Sequence, residues 1–214
     1  MSDQDAVLLQ DQAWGEALLT QNFSLMPETL EKLKIYAELL RKWQHKINLV
    51  GPSTIPFLWR RHFVDSAQLV AYMPKTPGVI VDIGSGAGFP GMVLALLTGN
   101  RAHLIDSDTR KSLFLREVKR ETGANVEIHN RRIEEITPLE GDILTSRALA
   151  RLDALLDLGR PHIKEKGMCL LLKGRQGPEE LTQAQKRWKM DATWRQSLSD
   201  ESGLVLKLEN ISRR

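Results

Sequence analysis

The sequence predicts a doubly wound α/β fold, with a seven-stranded sheet that ends in an antiparallel strand pair and with an N-terminal helical extension. Three observations predict it. After residue 78, short apolar runs alternate with helix-length segments, which is the pattern of βαβ units and a parallel sheet. The last two apolar runs lie too close together for a crossover helix. The first third of the chain instead repeats its apolar side chains with helical spacing.

Helices account for the residues before the sheet. They are predicted at residues 5–19, 27–48 and 57–72, with a loop at residues 48–54. In the second, Glu and Lys alternate with the apolar positions Leu33, Tyr36 and Leu40, so this helix is amphipathic. Pro74, Pro77 and Gly78 then break the pattern. We therefore predict an N-terminal helical region (residues 1–76) packed on a second domain (residues 77–214).

Seven strands are expected in the second domain. Five belong to the parallel part, at residues 79–83, 102–106, 125–129, 142–145 and 168–173. Two more, at residues 192–198 and 204–211, are separated by only five residues, so they should pair antiparallel.

Length and composition are those of a chain with one well-buried core. The 214 residues are 42% hydrophobic and 27% charged, without a disorder signature. No apolar stretch approaches the ~20 residues needed to span a bilayer, and the start, M-S-D-Q-D-A, is acidic where a secretory signal would be basic. We expect a soluble, cytoplasmic protein. Cys169 is the single cysteine, and its apolar neighbours predict a buried, inert thiol.

The distribution of charged residues indicates which partners to expect. The net charge is only +3, but basic residues cluster at positions 60–61, 110–111, 116–120, 131–132, 164–166 and 186–189. Two interpretations stay open: an anionic partner such as nucleic acid, or ordinary solvated helix faces.

The histidines at positions 45, 62, 103, 129 and 162 are scattered, so no metal-ligand spacing is present and we expect no metal.

A glycine-rich segment after the first predicted strand is the strongest sign of a cofactor site. It reads V-I-V-D-I-G-S-G-A-G-F-P-G and contains two overlapping patterns. Gly84-x-Gly86-x-Gly88 is associated with S-adenosylmethionine, whereas Gly86-x-Gly88-x-x-Gly91 matches the nicotinamide dinucleotide fingerprint. Because the apolar strand stops at Ile83, the first turn glycine should be Gly84, which favours S-adenosylmethionine.

Acidic residues follow the next two strands. Asp106 ends the second strand, where a carboxylate can accept hydrogen bonds from the ribose hydroxyls of an adenosine cofactor. The alternative role of Asp106 is a helix cap, although Asp108 is better placed as the N-cap. Glu134 follows the third strand, where it could meet the adenine edge or be a surface charge in a short helix.

Arg147 follows the fourth strand, at the centre of the sheet, where side chains face a transferred group. The segment lacks the Asn/Asp-Pro-Pro-aromatic pattern that holds an exocyclic amine and the cysteine that attacks a pyrimidine carbon. An arginine here suits a carboxylate, a phosphate or a guanine edge. The alternative is a salt bridge to Asp142 or Asp153.

These segments together resemble one known family. They read, in order, D-I-G-S-G-A-G-F-P-G, D-S-D-T-R-K-S-L-F-L-R, R-R-I-E-E, T-S-R-A and L-L-K-G. The helical region adds N-L-V-G-P-S-T and R-R-H-F-V-D-S-A-Q-L. The chain resembles the glucose-inhibited division protein B family, also called ribosomal small subunit methyltransferase G. The resemblance implies a seven-stranded, Rossmann-like methyltransferase that makes 7-methylguanosine in 16S ribosomal RNA.

The resemblance also implies site residues. Those expected to hold S-adenosylmethionine are Gly84, Phe89, Ile133, Glu134 and Arg147, to which the glycine-loop and strand-end arguments add Gly86 and Asp106. Those expected to line the cleft or meet RNA, without individual roles, are Asn48, His62, Asp65, Lys111, Arg132 and Lys173.

Guanine N7 has an in-plane lone pair and no proton, so the implied reaction needs no general base. We predict no catalytic acid or base, and a positioning role for Arg147. Two alternatives stay open: an oxidoreductase using Gly86, Gly88, Gly91 and Asp106, and an RNA-binding ribosome-assembly factor that retains a cofactor pocket. The C-terminal antiparallel pair fits the oxidoreductase less well. The sequence indicates no obligate protein partner and no membrane.

Overall fold

A computed structural model describes residues 3–23, 25–76, 78–147 and 149–214. Four residues used above lie outside these ranges: Met1 and Ser2 of the acidic start, Pro77 at the predicted domain boundary and Ala148 of the T-S-R-A segment.

A seven-stranded sheet forms the centre of the described chain. Its strands are β1 (Ile80–Ile83), β2 (Ala102–Ile105), β3 (Val126–His129), β4 (Gly141–Arg147), β5 (Ile163–Lys173), β6 (Trp188–Gln196) and β7 (Leu204–Arg213). They lie in the order β3-β2-β1-β4-β5-β7-β6. Strands β1 to β5 are parallel, and β7 is antiparallel to both β5 and β6. The doubly wound sheet and its antiparallel C-terminal pair are confirmed.

Two strands begin earlier than predicted. β5 starts at Ile163 rather than at residue 168, because the exposed charged residues 164–166 interrupt the apolar pattern. β6 starts at Trp188 rather than at residue 192. It is an edge strand with mostly exposed side chains, so burial imposes little apolar patterning on it.

Seven α-helices surround the sheet in the described residues. They are α1 (Asp3–Phe23), α2 (Pro27–Gln44), α3 (Asp65–Ala67), α4 (Gly91–Thr98), α5 (Thr109–Thr122), α6 (Leu152–Gly159) and α7 (Gly177–Ala184). Proline at the first position of α2 costs no intrahelical hydrogen bond. The Asp108 side chain caps α5 by accepting from the backbone N–H groups of Arg110 and Lys111, as expected for the better N-cap.

Residues 57–72 are helical, as predicted, but they do not form one regular α-helix. The segment consists of a π turn (Trp59–Val64), α3 and a 3-10 turn (Gln68–Tyr72), after another 3-10 turn at Pro52–Phe57. The wide π turn buries Trp59, His62, Phe63 and Val64. The Trp59 backbone N–H also donates to the Asp11 carboxylate in α1, at 2.7 Å. Tertiary contacts, which the local pattern does not contain, therefore set the winding.

Apolar side chains cover both faces of the sheet. On one face, Leu33 and Leu40 of α2 belong to the same buried cluster as Leu104 of β2. On the other face, Leu155 of α6 packs in a cluster with Val81 of β1. The N-terminal helices thus share a core with the sheet, while the division at residue 76 stays a prediction.

Cys169 of β5 is fully buried, as expected, and burial raises the pKa of its thiol to about 12. This thiol therefore stays protonated. None of the described helices combines the length and the apolar character needed to cross a membrane.

Candidate active site

The glycine-rich loop leaves β1 with the backbone conformation that its sequence predicts. Gly84, Gly86 and Gly88 have φ angles of 67°, 56° and 95°, in the left-handed region that favours glycine. A Cβ at Gly88 would lie 2.6 Å from the Tyr36 hydroxyl oxygen, so Gly88 is needed for packing. A Cβ at Gly86 would meet nothing closer than 3.9 Å. Space beside the backbone is therefore open at Gly86, whereas a Cβ at Gly84 would lie 2.6 Å from Leu149 Cδ1.

Asp82 of β1 holds this loop to the sheet. One carboxylate oxygen accepts from the Gly91 backbone N–H at 3.2 Å, and the other accepts from Thr145 Oγ1 of β4 at 3.0 Å. Ser85 adds a bond from its hydroxyl to the Asp82 carbonyl oxygen, at 2.9 Å. Burial raises the pKa of the Asp82 carboxyl to about 6. Asp82 is not among the predicted site residues, although a charged residue in the apolar strand I-V-D-I is a usable signal.

α4 begins at Gly91, so Pro90 immediately precedes the helix. Tyr36 of α2 reaches the same loop, because its hydroxyl donates to the Ala87 carbonyl oxygen. Its ring also stacks on Phe89, with centroids 5.3 Å apart. Tyr36 lies in the apolar stripe of α2, so its position in the sequence does not indicate a contact with the glycine-rich loop. An N-terminal helix therefore helps to fix the glycine-rich loop.

A cavity of about 200 Å³ opens beside the loop, at the carboxyl ends of β1 to β3. Its lining contains four predicted cofactor residues, Gly84, Asp106, Ile133 and Glu134, together with the predicted RNA-contact residue Arg132. We call it the loop cavity. Ile133 is buried, and Glu134 and Arg132 are exposed.

Asp106 is tied to the glycine-rich loop rather than to the helix cap. Its Oδ2 accepts from the Gly86 backbone N–H at 2.8 Å, and its Oδ1 accepts from the Asp108 backbone N–H at 2.8 Å. Asp108, by contrast, bonds only within the first turn of α5 through its side chain. Asp106 thus holds the glycine-rich loop, whereas Asp108 caps α5.

A second cavity, of about 490 Å³, lies at the carboxyl ends of β4 and β5. Arg147, His62, Asp65 and Lys173 line it, among other residues. We call it the strand-end cavity. Leu149 lines both cavities, so the two spaces adjoin across one side chain. The segment after β4 gave no sign of this role for Leu149.

Arg147 anchors a hydrogen-bonded chain to the N-terminal region. Its Nη1 donates to the Arg61 carbonyl oxygen at 3.2 Å and to His62 Nδ1 at 2.6 Å. Since Nδ1 accepts, the Nε2 of neutral His62 carries the proton, and Nε2 lies 2.8 Å from Thr54 Oγ1. The salt-bridge alternative for Arg147 is wrong: Asp142 pairs with Lys164 and Asp153 with Arg187.

Electrostatics keep His62 neutral. Burial, with the nearby charges of Arg147 and Arg61, lowers the pKa of His62 to about 2. His62 therefore does not exchange a proton near neutral pH. Phe89 lies beneath this group, with its ring centroid 5.2 Å from the Arg147 guanidinium carbon. Phe89 lines neither cavity and supports Arg147 from below.

Lys173 is held in a buried polar group at the far wall of the strand-end cavity. Its Nζ donates to the Ala150 carbonyl oxygen at 2.8 Å and pairs with Glu180 at 2.9 Å. Glu180 also accepts from the Leu152 backbone N–H, at 3.0 Å. These contacts fix the position of the ammonium group.

Three predicted residues lie outside both cavity linings in addition to Phe89. Gly86 is next to the loop cavity, because its backbone N–H donates to Asp106, which lines that cavity. Asn48 is exposed in the loop after α2, and Lys111 is half-buried in the first turn of α5. The fold therefore gathers most of the predicted residues around two adjoining spaces, but not Asn48 and Lys111.

The fold also brings together residues that looked scattered. Ligand atoms of His103, Glu127 and His129, on β2 and β3, lie within 4.8 Å of one another, a grouping that could hold a metal ion. The sequence shows no metal-ligand spacing for this grouping, because adjacent strands place distant residues side by side. The expectation of no metal stays a prediction. His103 Nδ1 and His129 Nε2 are 2.9 Å apart, and Glu127 pairs with Arg101 at 2.6 Å. Protein contacts thus already engage all three side chains.

The fold of this chain is shared with known structures. Solved structures that share it include M. jannaschii TYW2 in complex with AdoMet, with a TM-score of 0.56 and 15% identity over 79% of this chain and 80% of that chain. A predicted O-methyltransferase from Agrobacterium tumefaciens has a TM-score of 0.56 and 18% identity, over 69% and 80%. This chain therefore has the α/β fold of methyltransferases.

The sequence comparisons identify the family. Residues 29–203 match the rRNA small subunit methyltransferase G family. A ribosomal RNA small subunit methyltransferase G from Paramagnetospirillum magneticum is 51% identical over 198 residues, covering 92% of this chain and 96% of the relative. Its counterpart from Rhodospirillum centenum is 48% identical over 192 residues, covering 90% and 89%. This chain belongs to the rRNA small subunit methyltransferase G family, and the predicted resemblance is confirmed.

The substitution Asp82→Asn tests the buried anchor of the loop. Because the pKa of Asp82 is raised in the folded state, its protonation stabilises the fold; this contribution is complete below about pH 3.8 and is lost as the pH rises through about 6. Between about pH 7 and pH 4 the wild type should gain on the order of 2 kcal/mol in free energy of unfolding relative to the variant. Urea unfolding at each pH measures this difference. The exposed carboxylate variant Glu165→Gln is the control, and a difference for Asp82→Asn that does not change with pH would contradict the assignment.

Proposed function

We propose that this chain transfers the methyl group of S-adenosylmethionine to N7 of a guanine in 16S ribosomal RNA. The observation that carries the proposal is the pair of adjoining cavities at the carboxyl edge of the sheet, in a chain of this family. One space suits an adenosine cofactor and the other has room for an acceptor base. In an open α/β sheet, ligands bind at this edge.

The loop cavity fits the cofactor. S-adenosylmethionine, when bound, supplies an electrophilic methyl group on a positively charged sulfur. Asp106 would accept from ribose hydroxyls, and Ile133 and Glu134 would contact the adenine ring, since all three line the cavity. The open space at Gly86 supports close approach of a ligand to the backbone.

Arg147 would hold the charged end of the cofactor near the boundary of the two cavities. It uses Nη1 for its contacts to Arg61 and His62, and no hydrogen bond from its Nε or Nη2 to a described residue is present. These donors are the ones available to a carboxylate. Phe89 and His62 fix the guanidinium from two sides, which supports a positioning role.

The chemistry then needs no proton transfer by the protein. Guanine N7 attacks through its own lone pair, and no proton leaves N7. His62 is neutral and already hydrogen-bonded, so it is not available as a catalytic acid near neutral pH. The protein would contribute alignment of the acceptor base with the methyl group, which is an entropic contribution.

The surface around the loop cavity supports an RNA partner. Arg131 and Arg132 are exposed at this rim and form no ion pair with any residue between 3 and 214 that the structure describes. Lys164 and Arg187, in two of the other clusters, are instead paired with Asp142 and with Asp153 and Asp157. Arg131 and Arg132 are therefore unpaired cations at the rim of the loop cavity, where they could contact RNA phosphates. Asn48 and Lys111 are proposed as further RNA contacts outside the cavities.

Transfer of a labelled methyl group from S-adenosylmethionine tests the function directly. Small-subunit ribosomal RNA and isolated small subunits serve as acceptors, and nucleoside analysis identifies the product. We expect label in 7-methylguanosine. Label in another nucleoside would contradict N7 transfer. Cofactor binding without transfer to either acceptor would favour the assembly-factor alternative, and binding of a nicotinamide dinucleotide instead would favour the oxidoreductase.

A pair of neighbouring variants tests the cofactor residues. Asp106→Ala should weaken S-adenosylmethionine binding by about tenfold or more, because a charge-assisted hydrogen bond contributes about 1.5–3 kcal/mol. The matched variant Asp108→Ala should cost about 1 kcal/mol of stability through the lost cap and leave the Kd unchanged. Calorimetric titration and thermal unfolding separate the two effects. An unchanged Kd for Asp106→Ala would contradict the ribose assignment.

Charge reversal tests the RNA surface. The double variant Arg131→Glu/Arg132→Glu should weaken RNA binding and lower the slope of log Kd against log salt by about one to two, because two phosphate contacts are lost. Lys166→Glu, an exposed charge near the opposite edge of the sheet, is the matched control and should leave the slope unchanged. Equal effects of the two changes would show only a general charge effect.

A further inference from the structure

The carboxylate of Asp65 is fixed at the wall of the strand-end cavity. Its Oδ1 accepts from Gln68 Nε2 at 2.9 Å, from Ser199 Oγ at 2.6 Å and from Ser197 Oγ at 3.2 Å. The serines belong to the connection between β6 and β7, and the Leu198 backbone N–H binds the Gln68 side chain at 2.9 Å. Two separate parts of the chain therefore hold one oxygen of this carboxylate in place.

The other oxygen, Oδ2, receives no hydrogen bond from the residues that the structure describes. Oδ2 is also not one of the described polar atoms that are both fully buried and without a hydrogen-bond partner. It is therefore accessible from the cavity that Asp65 lines. Burial raises the pKa of Asp65, and the hydrogen bonds from Ser199 and Ser197 and the charge of Arg147 counteract this rise. A fixed carboxylate whose Oδ2 has two uncommitted lone pairs can accept from two adjacent hydrogen-bond donors.

Asp65 differs in this respect from the other carboxylates of the cavity. Glu180 is paired with Lys173 at 2.9 Å. Asp200 is paired with Arg61 and accepts from the Ser202 backbone N–H at 2.9 Å. Asp65 forms no ion pair within 4.0 Å with any described cation, because Arg147 is directed to His62 and Arg61 to Asp200.

Guanine presents a matching pair of donors. Its N1–H and 2-amino group lie side by side on the Watson–Crick edge, while N7 lies on the opposite side of the purine. Adenine has an acceptor at N1, which would face the carboxylate unpaired. Enzymes that act on a single base read its Watson–Crick edge once the base has left the stack. A base held by this edge turns N7 away from the carboxylate.

We propose that Asp65 selects guanine as the acceptor, by accepting hydrogen bonds from the N1–H and 2-amino groups of the base in the strand-end cavity. The assignment rests on the proposed function, since it requires a purine acceptor in this cavity. Asp65 contacts the base on the edge that does not react, and it excludes adenine because the N1 lone pair of adenine would oppose the carboxylate.

The test compares acceptor RNAs that carry guanosine, inosine or 2-aminopurine at the methylated position. Inosine lacks the 2-amino group, and 2-aminopurine lacks N1–H. With the wild type, each replacement should lower kcat/KM by about 10- to 100-fold, as expected for a lost hydrogen bond to a charged group. This comparison uses the unmodified protein, so it does not depend on the folding of any variant.

The variant Asp65→Asn completes a double-substitution cycle. It should lower kcat/KM for guanosine by about 10- to 100-fold and should reduce the guanosine-to-inosine ratio to less than about threefold. The ratio for adenosine relative to guanosine should rise, since the amide can donate to adenine N1. Asp200→Asn is the matched control: it removes the charge of a carboxylate that is already paired, and the guanosine-to-inosine ratio should stay at the wild-type value.

Two results would overturn the assignment. One is a wild-type enzyme that methylates guanosine and inosine equally well. The other is an Asp65→Asn variant whose activity falls by the same factor on both, which would indicate a purely structural role. Absence of any methyl transfer by the wild type would overturn the proposed function itself. The Kd for S-adenosylmethionine, expected to be unchanged in Asp65→Asn, separates loss of base recognition from loss of the cofactor site.

Discussion

The site depends on one buried carboxylate, that of Asp82. Removing this carboxylate from water costs free energy, and the same burial raises its pKa. Contacts with Ser85, Thr145 and Gly91 hold it in one position. It binds the start of α4 through the Gly91 N–H and binds β4 through Thr145, so it ties the glycine-rich loop to both adjacent elements. Gly84, which follows β1, lines the loop cavity, and Arg147, at the end of β4, lines the strand-end cavity. Asp82 therefore connects the two strands that carry these wall residues.

The N-terminal region is part of the site rather than an appendage. Tyr36 supports the glycine-rich loop from α2, and Thr54 and His62 extend the hydrogen-bonded chain that begins at Arg147 on β4. This chain passes through a neutral histidine, so the single buried charge stays on the guanidinium. Such a network fixes the direction of Arg147 without titrating near neutral pH. Positioning is what the proposed methyl transfer requires from the protein.

Three carboxylates around the cavities have separate duties because their partners differ. Asp82 is fully engaged with the protein and Asp106 holds the loop while lining a cavity. Asp65 keeps one oxygen uncommitted. A carboxylate acquires its role from the donors that surround it, and those donors come from distant parts of the sequence. Ser199, which holds Asp65, lies 134 residues after it.

The sequence by itself determined the fold class, the order of the strands along the chain, the glycine-rich loop and the family. These properties depend on local signals: apolar periodicity, glycine spacing and short motifs. It also determined that Asp108 rather than Asp106 caps α5, because capping is a first-turn interaction. Only the tertiary structure decided the winding of residues 59–72, the partner of Arg147, the grouping of His103 with His129 and the uncommitted oxygen of Asp65. Each of these depends on contacts between elements that are far apart in the chain, and no local pattern encodes which groups the folded sheet brings within hydrogen-bonding distance.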